Sequence, residues 1–261
     1  MNRWRTRAVL CAALFAAGAC ERQPAGPAAG APGPNAAEAY RAAWGQIDDE
    51  LNSAASFSSF DASGLKLQPG SGFASADDVS RLLRSRRSVV TDLMNAGSVR
   101  ECDFGWKVDR TKPQAERTTA LVDAAGALRR AARLLNADAA RAWSEGDADG
   151  AVDRIAAIYA LSAHTADEPV LIIALTNAAL IMLADVAAQQ MAAGGSGKPL
   201  SEGQKARLLA ALERLDRADP AGIARAAKAE GSDASTDQQM GQAQLKLTND
   251  LARTRRALGG S

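Results

Sequence analysis

The side chains in this sequence most able to do acid–base or nucleophilic chemistry are its single histidine, His164, and the thiol of Cys102. Glu168 follows His164 by one helical turn and would orient the imidazole if the helix ran on. Asp167 and Pro169 break it first, so His164 reads as a polar residue near a helix C-terminus rather than as a general base. Cys102 stands beside Asp103 with no histidine partner, which suits a small packed residue better than an activated thiolate. With one histidine, the usual zinc sites are excluded, and no motif calls for a metal or any other cofactor. Tyr40, Trp44, Trp106, Trp143, Tyr159 and His164 are the candidates to line a binding groove between helices, with core anchoring as their competing role. The run Asp48-Asp49-Glu50 reads as solvated surface, because successive helical residues point in different directions and cannot surround a calcium ion.

Two fragments imitate phosphate chemistry in letters alone. Gly195-Ser196-Gly197-Lys198 looks like the end of a P-loop, but Ala192 replaces the first glycine and Pro199 the magnesium-holding hydroxyl. Asp103-Phe104-Gly105 matches a kinase triplet without the glycine-rich loop, catalytic loop or strand lysine that give it meaning. Arg81, Arg84, Arg86 and Arg87 make one segment basic, yet a solvated helix face accounts for them. Lysine plus arginine number 31 against 30 acidic residues, a net charge of +1 that argues against nucleic acid as a partner.

Residues 1–19 have the three parts of a signal peptide: Arg3, Arg5 and Arg7, then apolar Ala8 to Ala16, then the small residues Ala17-Gly18-Ala19. The next residue, Cys20, makes Ala17-Gly18-Ala19-Cys20 resemble a bacterial lipobox, which implies acylation of Cys20 and anchoring in the cell envelope. Ordinary signal-peptidase cleavage, releasing a soluble periplasmic chain, is the alternative. Residues 20–34 contain Pro24, Pro27, Pro32 and Pro34 among glycine and alanine, so they are expected to form a tether rather than a folded element. Its typical reach is on the order of 20 Å. With Cys11 lost in the leader and Cys20 lipidated, Cys102 is left without a disulfide partner.

Residues 35–261 are expected to form a single helical domain. Apolar residues make up 47% of the chain and aromatics only 4%, so the core must be alanine, leucine, isoleucine and valine on close-approaching helices. Asn35 with Glu38 marks a helix start, and Tyr40, Trp44, Ile47 and Leu51 then form one stripe. The glycine- and proline-bearing stretch from Ser53 to Ala74 predicts a long loop. A second helix is predicted from about Ser75 to Gly97, and an irregular stretch over Cys102 to Lys112. A long helix follows Pro113, with its face on Leu121, Leu128 and Leu135; Gly146-Asp147 then forces an antiparallel partner through Ile155 and Ile158. The apolar run Val170 to Val186 predicts a buried helix rather than a membrane span. Ser201 with Gln204, then Asp219-Pro220, then Met240, Leu247, Leu251 and Leu258 mark three further helices, for roughly seven in all. The predicted fold is all-α, with antiparallel helical hairpins stacked as an irregular bundle or short solenoid.

Leu135, Ala139, the Gly146-Asp147 turn, Ala151 and Ile155 resemble one tetratricopeptide-type unit of about thirty residues. The layout of lipobox-like leader, Cys102 to Trp106 segment, Gly-Asp hairpin and Asp219-Pro220 is similar to exported helical-repeat lipoproteins of planctomycete-like bacteria. That resemblance implies architecture and no particular activity. The expected function is a membrane-anchored, non-catalytic binding or scaffolding module for a protein or peptide. A hydrolase or small-ligand sensor would instead gather His164, Cys102 and the tryptophans in one cavity, whereas a scaffold leaves them scattered. A structural envelope protein, marked by self-association, is the third reading.

Overall fold

The computed structural model describes residues 35–55, 58–61, 64–67, 73, 75–106, 114–194, 199–215, 219–230 and 234–259. The expected leader and tether, with Cys20, and the P-loop-like 195–198 lie outside the described residues. The chain from Pro34 to Ser261 forms one compact unit. The fold is an all-α bundle, with ten helices among the described residues.

Helix α1, Ala36–Trp44, starts where the sequence marks it: Asn35 Oδ1 accepts the Ala37 amide at 3.0 Å. The expected stripe buries Tyr40, Ile47 and Leu51, but not on one helix: α1 ends at Trp44, Ile47 sits in the connection, and α2 spans Asp49–Ala55. Asp48 Oδ1 accepts the Leu51 amide at 2.8 Å and caps the restart. Part of the expected loop is a hairpin, with β1 at Ser58–Asp61 antiparallel to β2 at Gly64–Leu67. Four-residue strands are too short to display a period, which is why the sequence pattern missed them. The hairpin lies against the longest helix of the bundle, introduced below as α5.

The expected second helix is two, α3 at Ala76–Ser85 and α4 at Arg87–Ser98, because Arg86 leaves helical geometry at φ −105°, ψ 21°. Arg86 is tied there to Asp48 at 2.8 Å. The break turns the apolar stripe through a corner, so that Val79 and Leu83 bury on α3 and Val89, Val90 and Leu93 on α4.

Helices α5, Gln114–Ser144, and α6, Ala148–Thr165, form the predicted antiparallel hairpin. Gly146 takes φ +82°, a conformation glycine reaches without a Cβ penalty, and Asp147 Oδ1 accepts the Gly150 amide at 2.8 Å. Asp138 is buried between Arg141, 2.6 Å away, and Arg154, tying the two helices together by charge.

Helix α7, Leu171–Ala192, has the length and mean hydropathy, 2.1, to cross a membrane. Over half of that window is buried against neighbouring helices, as in the core helix of a bundle. Helix α8, Glu202–Leu212, opens with the predicted capping box of Ser201 and Gln204. Asp219 caps α9, Ile223–Glu230, by accepting the Arg225 amide at 3.0 Å. A terminal helix, α10 at Ala234–Ala257, lays Met240, Leu247 and Leu251 on α7 and α9.

Candidate functional site

Four of the six groove candidates come together at the junction of α1, α6 and the Cys102–Trp106 segment. The rings of Tyr40, Trp44, Phe104 and Trp106 stack in series, with centroids 6.0, 5.4 and 4.2 Å apart. His164 meets Tyr40 edge-on, with its Nδ1 3.2 Å from the tyrosine hydroxyl. Trp143, near the end of α5, and Tyr159, on α6, are buried without ring contact to the stack among the described residues. Tyr159 instead donates to Asp185 Oδ1 of α7 at 2.7 Å.

The Cys102 to Trp106 segment is held by side chains of α1 and its cap and by Glu168, just after α6. Asn35 accepts the Asp103 amide and donates to the Asp103 carbonyl, each at 3.1 Å. Buried Glu168 accepts the Phe104 amide at 3.0 Å, so this carboxylate holds backbone rather than orienting His164. Arg41 donates to the Phe104 carbonyl and lies over its ring. Gly105, at φ +66°, makes the turn that folds Trp106 back onto Phe104.

Burial governs the acid–base character of this cluster. Desolvation raises the Cys102 thiol to about 12, assisted by Glu168 and opposed by Arg41, so the thiol stays protonated. Desolvation and then Arg214 hold His164 below its usual value, keeping it neutral, while a hydrogen bond to the Val99 backbone opposes them. Tyr40 is raised far above the ordinary phenol range, chiefly by burial. His164, Cys102, Trp44 and Trp106 are thus not scattered, as expected of a scaffold, but gathered as packed, neutral groups.

Beside this cluster runs an open groove of about 400 Å³. Its floor is the α6 face of Asp153, Ala156, Ala157 and Ala160, and its walls come from α4 and the α8 segment. Gly97 forms part of the α4 wall, and a Cβ there would stand 3.3 Å from Ala160 Cβ and 3.5 Å from the Tyr40 hydroxyl oxygen. Glycine therefore lets α4 close on α6 and brings the groove wall against the Tyr40–His164 pair. On the other wall, Arg207 pairs with Asp149 and Asp153 near the start of α6. Arg214, exposed just beyond α8, donates to the Gly97 carbonyl at 3.1 Å and acts on His164 near the end of α6. These pairings make α8 parallel to α6 and put one guanidinium at each end of the groove.

Among the described residues no group of three or more histidine, cysteine or acidic side chains is placed to hold a metal. Phe104 and Gly97, met in the sequence only as part of a kinase-like triplet and as a helix stop, and Arg214 were not among the expected site residues. Phe104 could have been found from its alternation with Trp106, whereas Gly97 and Arg214 matter only through contacts far apart in the chain. No protein family, curated protein or solved structure matches this chain.

Proposed function

We propose that this chain is an exported lipoprotein, anchored through Cys20, whose helical domain binds a protein or peptide partner in the groove between α4, α6 and α8. The observation carrying this reading is the groove itself: an alanine-floored channel, open to solvent and rimmed by arginines. Ligand pockets combine an apolar lining with a few placed polar groups, and this groove has that composition. The neighbouring chemistry favours binding over catalysis, because the thiol is held protonated and the imidazole is engaged with the buried Tyr40 hydroxyl. The tetratricopeptide-like α5–α6 hairpin and the tether of residues 20–34 fit a domain held above a membrane to meet a partner.

Two measurements test this reading. Palmitate labelling should mark the wild-type chain and disappear in Cys20→Ser, with an acylated Cys20 as the mature N-terminus; unlabelled protein cut elsewhere contradicts the anchor. A pull-down from membranes with the lipidated full-length chain should recover a specific partner. Ala210→Trp, an exposed substitution on the groove wall, should lose that partner while keeping the melting temperature. Equal recovery by both chains contradicts the groove as the binding surface.

A further inference from the structure

We infer that the groove takes a short apolar peptide segment bearing a single carboxylate, which Arg214 receives. This rests on the groove being a binding surface and adds the chemistry of what it binds.

The groove is lined by three charged side chains, Asp153, Arg207 and Arg214. Arg207 and Asp153 are 2.6 Å apart, and Asp149 gives Arg207 a second carboxylate. Arg214 has no carboxylate within ion-pair distance among the described residues; its contact is the neutral Gly97 carbonyl. The groups it faces inside the wall, Tyr40 and His164, are both uncharged. One end of the groove thus has a surplus of carboxylate over guanidinium and the other an unbalanced guanidinium, so a single negative charge is drawn to the Arg214 end and repelled from the other. Arginine also presents a planar donor fork suited to a carboxylate.

Shape supplies the rest. From Asp153 to Ala160 the floor runs about 10 Å along α6. The floor and the α8 wall between the two arginines carry only alanine methyls, which favours an apolar stretch over polar groups. Because the groove is open to solvent, a chain can lie along it and continue past its end, as a peptide does in groove recognition.

The test uses the full-length chain labelled with ¹³C at methionine methyls. Met94 lines the groove, and Met182, exposed on α7, reports on binding elsewhere. The probes are the peptides Ac-Ala-Leu-Ala-Ala-Glu-NH2 and its glutamine counterpart, titrated at low salt. The acidic peptide should shift the Met94 signal and leave Met182 unmoved, binding about tenfold more tightly than the glutamine peptide, the scale of one charge-assisted hydrogen bond. Arg214→Gln should erase that difference and Arg214→Lys should keep part of it. Equal Met94 shifts with the two peptides would overturn the carboxylate assignment and leave the groove as a binding surface. If neither peptide moves Met94, both readings fall. Octanoate moving Met94 where the acidic peptide does not, or Met94 moving with protein concentration alone, would overturn the peptide in favour of a detached amphiphile or a second copy.

Discussion

Asp185 is a carboxylate in the wrong place for its charge. It is 2% exposed on α7, it accepts the Tyr159 hydroxyl through Oδ1, and its Oδ2 is buried with no hydrogen bond in close geometry among the described residues. Desolvation outweighs the hydroxyls of Tyr159 and of Thr254 on α10 and lifts its pKa to about 6, with Asp250 of α10 adding to the rise and Arg255 of α10 opposing it. The fold therefore prefers the protonated carboxyl. That contribution is complete below about pH 4 and is lost as pH rises through about 6, for roughly 3 kcal/mol in total. His164 works in the opposite sense, since its lowered pKa makes the fold prefer the neutral ring and lose stability on acidification. Asp185→Asn should accordingly melt higher than wild type at pH 8 and lose that advantage at pH 4; a pH-independent difference between their melting curves would contradict the assignment. From sequence, Asp185 is visible only as an interruption of an apolar run, because its partner Tyr159 lies on a different helix.

At the scale of elements, what could be read in the sequence was local. Asn35, Ser201 and Asp147 each hold an amide within a turn of themselves, so their helices begin where the residue types say. The breaks at Gly45 and Arg86 were not legible, because the apolar stripes continue across both and only the packing of α2 and α4 forces the corners. The charge linking α5 to α6 was equally hidden. Asp138, Arg141 and Arg154 look like surface residues in the sequence, yet all three are buried, and Asp138 serves both arginines. Removing Asp138 takes from buried Arg154 its carboxylate and leaves Arg141 with the half-exposed Glu145 alone. Asp138→Ala should cost about 3–5 kcal/mol in denaturant unfolding. A cost under about 1 kcal/mol, the range of exposed ion pairs, would mean that water reaches the cluster.

For the molecule as a whole, composition already pointed to an all-α bundle. Low aromatic content and abundant alanine leave close helix packing as the way to bury a core, and the bundle is packed through Ala131, Ala139, Ala157 and Ala184. The candidate site was half legible. The aromatic residues and His164 were singled out by type, but the groove beside them depends on Gly97 meeting Ala160 and on α8 lying parallel to α6, which local patterns do not encode. The same packing leaves another apolar surface, Leu175, Met182 and Val186 on α7, so the account must show that partners choose the groove. The direct measurement is photo-crosslinking on membranes with the lipidated full-length chain, carrying p-benzoylphenylalanine in place of Ala156 on the groove floor or of Ala179 on the exposed face of α7. The account expects a discrete crosslinked adduct from position 156 and none from 179. Adducts from position 179 alone, or equally from both, would contradict it.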